Sequence, residues 1–380
     1  MRTFDQAVEL IENYSELVIL GDGTGACVAV CPALQGRIMA SAPAGPGART
    51  NAWINEKAVA RQGADTQFNN YGGEERFWLG PEGGQFSLWF AAGDTFDMEH
   101  WRTPAALNEG AFDVKTKTET GITLARHIEV TNYSGTEFSV DVERTVSTVP
   151  AGDLGEALGC ELPEGVGYVG FESDNRIANA GKEKMTRDKG LLSIWTLGQF
   201  VPAEKVVAII PFITDEAGGR GAVVNDRYFG PVPGERLKEE SGCLLFRADG
   251  NFRSKLGITP SRARDVLGSI DFDENILTVV RFDLPGSDAY VNSMWEIQDE
   301  PFAGDVVNSY NDGPPEPGQP SLGGFYELET SSPAAELAPG ETLRHRNRTF
   351  HFRGAPAALD GISNAVFGID LGRVRSLMNL

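Results

Sequence analysis

The feature that most constrains the fold of this chain is an alternation of apolar and polar residues with a period of two. A period of two is typical of β-strands, whereas amphipathic helices repeat every 3.6 residues. The 45 glycines and 21 prolines supply frequent turns between short strands. The sequence therefore predicts an all-β architecture built from many short strands, of the sandwich or barrel type.

Local patterns refine this prediction. Residues 120–149 read as a long hairpin with Tyr-Ser-Gly-Thr at its turn, and short helices are predicted only at the two ends, over 3–14 and 355–378. The Gly-rich run 21–26 matches a dinucleotide fingerprint superficially, but strand-like residues follow it, so we expect a turn. The Pro-rich run 311–324 is interpreted as a long loop rather than a linker. We therefore expect residues 1–380 to form a single domain.

The charge balance limits the possible partners. The chain has 33 Lys and Arg against 54 Asp and Glu, which gives a formal net charge of −21. Nucleic acids and anionic membrane surfaces require clustered basic residues, so neither is an expected partner. The first 20 residues lack the features of a secretory signal. A cytoplasmic location is expected, or a periplasmic or secreted one if the sequence has been truncated.

The four cysteines indicate neither a disulfide framework nor a metal centre. Cys27 and Cys31 have the spacing C-x₃-C, but no second Cys or His pair follows at zinc-site spacing. We expect them to be small buried hydrophobic residues. No metal and no cofactor is required by the sequence.

Polar groups interleaved with aromatic residues indicate a sugar-binding surface. The segments 68–90 and 294–318 both combine indole and phenol rings with amides, carboxylates and a guanidinium. The apolar face of a sugar stacks on aromatic rings, and its hydroxyls need fixed donors and acceptors. The alternatives are an edge strand with solvated charges and, for Asp312, ordinary turn chemistry. The candidate substrate-binding residues are Arg76, Trp78, Glu82, Arg253, Trp295, Gln298, Asn308, Asn311 and Asp312.

Two glutamates near the C-terminus are the strongest candidates for acid–base chemistry. In a strand, Glu327 and Glu329 point to the same face, and mutual repulsion would raise the pKa of one of them. His345 would face them across a cleft if its segment pairs with 325–331, and His100 is a further candidate. The alternatives are a solvated acidic face and structural histidines.

Three runs resemble galactose-mutarotase-like (aldose epimerase) proteins: ARHIEVTNYSGTEFSVDVERTV, YGGEERFWLGPEGG and FYELETSSPAAELAPGETLRHRNRTFHF. The resemblance implies a β-supersandwich with a sugar cleft on its concave face, and it suggests an uncharacterised bacterial branch. In those proteins a Glu accepts the anomeric proton and a His protonates the ring oxygen. Glu329 matches the Glu best and Glu327 second. The His motif has no counterpart, and the nearest run, NDRYFG, has Asp226 at that position.

The resemblance leaves three functions open, with His100, His127, His345 or a group other than histidine as the acid. The first is an aldose 1-epimerase-type enzyme with a Glu base. The second is a polysaccharide lyase or glycosidase on the same fold, and the third is a non-catalytic carbohydrate-binding protein. Each has a mono- or oligosaccharide as its expected partner. The sequence does not define the oligomeric state.

Overall fold

The computed structural model describes residues 1–45, 47–61, 65–215, 218–316 and 318–380. Within them, short strands pair into three antiparallel sheets of ten, five and three strands. The prediction of an all-β fold with short helices near the two ends is confirmed. The expectation of helices only at the ends is wrong, because short helices also lie at Glu56–Arg61, Ala105–Asn108 and Leu154–Leu158.

The ten-stranded sheet is the largest layer. Its strands, in spatial order, are β11 (Leu237–Glu240), β12 (Cys243–Arg247), β10 (Val206–Pro211), β14 (Val266–Asp271), β15 (Ile276–Phe282), β18 (Thr342–Arg353), β8 (Gly167–Asn179), β7 (Glu137–Thr148), β6 (Gly121–Thr131) and β5 (Asp113–Lys117). The predicted hairpin is formed by β6 and β7, with Gly121 paired to Ser147 and Thr131 to Glu137.

The five-stranded sheet carries the candidate site. Its strands, in spatial order, are β13 (Ser254–Ile258), β16 (Val307–Asn311), β17 (Tyr326–Ser331), β9 (Ser193–Phe200) and β4 (Arg76–Gly80). A small third sheet consists of β1 (Val18–Gly21), β2 (Cys27–Cys31) and β3 (Arg37–Ala42). The Gly-rich run 21–26 forms the turn between β1 and β2, as the strand-like residues after it predicted.

The two large sheets pack face to face, and β17 shows how. Its even-numbered side chains point toward the ten-stranded sheet: the Tyr326 hydroxyl lies 2.8 Å from that of Ser269. Leu328 packs in the same apolar cluster as Val280. Since side chains alternate along a strand, the odd-numbered residues of β17 point away from this interface. The opposite face of the five-stranded sheet is thus available for a site.

Short helices pack around the sheets. They are α1 (Phe4–Glu12), α2 (Glu56–Arg61), α3 (Ala105–Asn108), α4 (Leu154–Leu158), α5 (Pro356–Phe367) and α6 (Leu371–Leu377). The predicted N-cap Thr3 accepts a hydrogen bond from the backbone of Gln6 and completes a capping box. Buried residues of α5 and α6 pack in one apolar cluster with β10 and β12. In the part of the chain that the structure describes, no helix is both long and apolar enough to cross a membrane.

A fully buried ion pair lies between the sheets. Arg144 donates to Glu75 at 2.7 Å and to the Asn175 side chain at 2.5 Å, and none of its side chain is exposed. Asn347 donates to the other oxygen of Glu75. A buried pair of this kind is tolerated because its hydrogen-bonding groups find partners.

Replacement of Arg144 by Met is therefore expected to reduce the free energy of unfolding by about 3–5 kcal/mol, because Glu75 would remain buried without its cation. The matched control is Arg176→Met. Arg176 lies on the neighbouring strand and pairs with Asp174 at the surface, where such pairs contribute about 0–1 kcal/mol. Urea unfolding of both variants measures the difference. Equal losses would contradict a special contribution of the buried pair.

Candidate functional site

The candidate site lies on the outer face of the five-stranded sheet, where strand pairing brings side chains from several strands together. Glu327 on β17 is opposite Tyr310 on β16. Glu329 is opposite Leu197 on β9, which in turn pairs with Arg76 on β4. Alternation places all of these side chains on one face. The strand register thus places Glu327 and Glu329 on the same face of the sheet, as the sequence predicted.

A cleft of about 490 Å³, part of it open to solvent, lies over this face. Its aromatic lining consists of Phe68, Trp78, Trp101, Trp195, Phe229, Trp295, Tyr310 and Phe325. Its charged lining consists of Arg76, Glu82, Arg253, Lys255 and Glu327. A lining that is mainly aromatic and contains a small number of charged groups is typical of a site for a compact polar ligand.

Three tryptophans form a packed group beside the charged residues. The ring of Trp78 lies 5.2 Å from that of Trp89 and 5.4 Å from that of Trp195, in edge-to-face arrangements. Such rings exclude water from the floor of the cleft and lower the local dielectric constant. Charges that face this floor therefore interact more strongly than charges at the surface.

Arg76 and Glu327 form the central ion pair of the cleft. Arg76 Nη2 lies 2.8 Å from Glu327 Oε1, and both side chains are almost fully buried. The guanidinium also stacks over Trp78, with 3.9 Å from Cζ to the ring centroid. Burial raises the pKa of Glu327 to about 8, although the charge of Arg76 opposes that shift. Glu327 is therefore a carboxyl group that can hold a proton near neutral pH.

Glu329 lies on the same face but beneath the lining of the cleft. One of its oxygens, Oε2, accepts from Lys255 Nζ at 3.0 Å and from the indole of Trp195 at 2.9 Å. Its side chain is wholly buried, and its second oxygen has no hydrogen-bond partner. Glu329 thus holds Lys255 in place from below, whereas Glu327 faces the open cleft.

Glu82 is the second carboxyl group in the cleft lining. Its Oε1 accepts from the Trp101 indole at 3.0 Å, and its Oε2 lies 3.9 Å from Lys255 Nζ. Burial raises the pKa of Glu82, while the charge of Lys255 opposes the shift. Burial also lowers the pKa of Lys255, but Glu329 and Glu82 outweigh it and the pKa is raised overall. Lys255 therefore stays charged between two carboxyl groups.

The structure brings together six of the residues that the sequence nominated. One is Glu327, which was the second choice for the catalytic glutamate. The other five are nominated substrate-binding residues, namely Arg76, Trp78, Glu82, Arg253 and Trp295. Glu329, the first choice for the catalytic glutamate, contacts the site through Lys255 rather than through the cleft.

Four nominated polar residues do not line this cleft. Gln298 donates to the backbone oxygens of residues 292 and 294, and Asn311 donates to the backbone oxygen of residue 252. Asp312 accepts from the backbone of residues 323 and 324 and from the Tyr310 hydroxyl. Asn308 lies 3.3 Å from the Tyr228 hydroxyl, behind the cleft. Their side chains fix the loops and strands around the site.

The histidines do not reach the carboxyl groups of the cleft. The pairing with β17 that would have placed His345 opposite the glutamates is not formed, because β18 belongs to the ten-stranded sheet. His345 therefore meets the opposite face of β17 and lies 2.8 Å from the Thr330 hydroxyl. Burial lowers its pKa to about 4. His100 is in an exposed loop beside Asp97, at 2.7 Å.

Sequence reasoning missed several members of the site. Lys255 carried a usable signal, because it lies two residues after Arg253, the spacing at which the side chains of an extended segment share a face. The NDRYFG run also contributes: Tyr228 donates to the buried carboxylate of Asp305 at 2.7 Å, and Phe229 lines the cleft. Trp195 gave no signal beyond its position in an apolar strand. Among the described residues, no three His, Cys, Asp or Glu side chains form a group that could hold a metal ion.

Comparison with solved structures shows the fold. A protein from Escherichia coli K12 that is provisionally described as an aldose 1-epimerase aligns with a TM-score of 0.52 and 10% identity, over 90% of this chain and 99% of that one. A galactose mutarotase-like protein from Lactobacillus casei ATCC 334 aligns with a TM-score of 0.50 and 11% identity, over 88% and 100%. A protein from Synechocystis sp. PCC 6803 aligns with a TM-score of 0.50 and 13% identity, over 90% of this chain and 96% of that one.

The expected galactose-mutarotase-like supersandwich is therefore confirmed as the fold, and at these identities the comparison speaks to the fold alone. No curated protein matches the sequence. Residues 2–378 match the "Family of unknown function (DUF6786)". The chain is a member of that family, with the galactose-mutarotase-like fold.

Proposed function

We propose that the cleft binds a single sugar ring and interconverts its anomers, with carboxyl groups as the proton carriers. The observation that carries this proposal is Glu327, a buried carboxyl group that faces an aromatic cleft and contacts Arg76 at 2.8 Å. The carbohydrate-related fold supports it, because structures of this fold include proteins described as mutarotase-like.

The cleft offers a sugar both of the surfaces that it needs. Indole rings present flat apolar faces for the C–H side of the ring. Two lining residues also carry buried donors: Nε and Nη1 of Arg76 and Nε1 of Trp78 have no hydrogen-bond partner in the protein. Buried donors without partners are costly, so a ligand that satisfies them binds favourably. Neutral hydroxyl oxygens are suitable acceptors for them.

The proposed chemistry moves two protons. Glu82, which Lys255 favours in its ionised form, accepts the proton of the anomeric hydroxyl. The C1–O5 bond breaks, its electron pair goes to O5, and Glu327 donates a proton to O5. The open aldehyde rotates about C1–C2, and the reverse transfers close the ring as the other anomer. Two carboxyl groups in different environments thereby replace the glutamate and histidine of the mutarotases.

Glycoside hydrolysis is the second candidate, and the presence of two carboxyl groups in one cleft favours it. Glycosidases use such a pair as an acid and as a base or nucleophile. A lyase mechanism is less well supported. A lyase needs a base that removes the C5 proton, and Tyr310 is the phenol that lines the cleft. Its hydroxyl donates to Asp312 at 3.0 Å, and burial raises the pKa of the phenol well above the usual value. A phenol in that state is a poor base.

Replacement of Glu327 by Gln is expected to reduce the catalysed rate of mutarotation by roughly 10²–10⁴-fold, because Gln cannot donate or accept the transferred proton. The amide oxygen can still accept from Arg76, so the fold is retained. Optical rotation of freshly dissolved aldoses measures the rate. The matched control is Glu172→Gln, which alters a carboxylate that pairs with Arg348 on the ten-stranded sheet, remote from the cleft.

Several outcomes would contradict all or part of this proposal. If the unmodified protein accelerates no aldose or aldose derivative, the proposal fails. If Glu327→Gln binds sugar normally and retains full turnover, Glu327 is not the proton carrier. Release of nitrophenol from nitrophenyl glycosides would instead favour hydrolysis. Sugar binding without any turnover would assign the cleft to a carbohydrate-binding protein.

The rate should also depend on pH in a defined direction. Glu327 acts in its protonated form, and its pKa in the folded protein is raised to about 8. The value of kcat/KM, which reports ionisations of the free enzyme, should therefore fall as the pH rises through about 8. Polarimetry between pH 6 and 10, corrected for the spontaneous rate, measures this. A rate that rises through the same interval would make Glu327 the base.

A further inference from the structure

Arg253 is a cation of the cleft that the proposed chemistry does not use. It directly precedes β13, two residues before Lys255, and it lines the same cleft. Its Nε atom is buried and has no hydrogen-bond partner. Among the described residues, no carboxylate oxygen forms an ion pair with its guanidinium, whereas Lys255 contacts Glu329 and Arg76 contacts Glu327.

An aromatic ring fixes the orientation of this guanidinium. Its Cζ lies 3.9 Å from the centroid of the Phe229 ring. That ring is itself held edge-on by Trp295, at 6.0 Å, and by Tyr310, at 5.9 Å. A guanidinium that stacks on a fixed ring loses little conformational entropy when it binds a ligand. Arg253 is therefore preorganised at the wall of the cleft.

The missing counter-ion indicates what Arg253 binds. A cation that is partly removed from water is costly unless an anion or several acceptors compensate it. The chain as a whole carries a net charge of −21, which repels anionic solutes at long range. A free, oriented guanidinium in such a protein would provide a local site for a negative group.

We infer that the sugar is acidic, a hexuronic acid whose carboxylate pairs with Arg253. This inference rests on the proposed function, which places a sugar ring in the cleft. A carboxylate matches the planar fork of a guanidinium and carries one charge, which one arginine balances. A phosphate dianion would bring a second charge close to Glu82, on which Arg253 already acts electrostatically.

Binding of hexuronates and neutral hexoses tests the inference without depending on turnover. Ligand-observed NMR titrations would compare glucuronic and galacturonic acids with glucose, galactose and glucose 6-phosphate. The unmodified protein should bind at least one hexuronate about 10- to 100-fold more tightly than the matching hexose. Arg253→Gln should remove that preference, so that the hexuronate binds no more tightly than the matching hexose. Arg253→Lys, which retains the charge, should restore part of it.

The matched control is Arg187→Gln. Arg187 is an exposed arginine that also lies over a phenylalanine ring, Phe302, at 5.0 Å, but it is outside the cleft. This variant removes the same charge from the protein and should keep the full preference for hexuronates. Loss of the preference in this variant would attribute it to overall charge and overturn the role of Arg253.

The remaining outcomes separate the inference from the proposed function. Equal binding of hexoses and hexuronates, or an equal loss of both in Arg253→Gln, overturns the inference while epimerisation of neutral sugars can stand. Tighter binding of glucose 6-phosphate than of either hexuronate overturns the carboxylate assignment. Selective binding of hexuronates without accelerated mutarotation supports the inference and refutes the proposed enzyme. Binding of no sugar refutes both.

Discussion

The removal of the Arg76–Glu327 pair from water is the constraint on which the site depends. Both side chains are almost fully buried beneath the aromatic wall, at 2.8 Å from each other. In bulk water this pair would be weak and Glu327 would be an ordinary carboxylate. Burial raises the pKa of Glu327 to about 8, so that its carboxyl group can hold a proton near neutral pH, and the contact with Arg76 fixes the position of that group. In the proposed function, the aromatic residues would therefore support the acid–base chemistry as well as the packing of the ligand.

Side chains alternate along β17, so that one face of the strand packs against the ten-stranded sheet and the other face carries the two glutamates. Tyr326, Leu328 and Thr330 face the ten-stranded sheet, where His345 is one of their contacts. Glu327 and Glu329 face outward, and they differ in depth: the first lines the cleft and the second anchors Lys255. Neighbouring carboxyl groups on one strand thus have different environments, which gives them different tasks.

Local patterns explain why part of the site could be predicted from the sequence. Alternation along a strand is enough to place Glu327 and Glu329 on one face. Trp78 could be nominated because its segment of the sequence is rich in both aromatic and charged residues. Long-range pairing is not encoded in periodicity, so the sheet that β18 joins, and with it the position of His345, could not be predicted. Asp312 was nominated as a ligand group, but its carboxylate accepts from the backbone of residue 324, 12 positions further along the chain, and local patterns do not reveal such a contact.

The most direct test of the account is a crystal structure of the protein with a bound hexose or hexuronate. The account predicts one pyranose ring packed against the indoles of the cleft, with the Glu327 carboxyl group within hydrogen-bond distance of the ring oxygen or the anomeric oxygen. A sugar bound elsewhere on the surface, or one whose anomeric centre points away from Glu327, would contradict it.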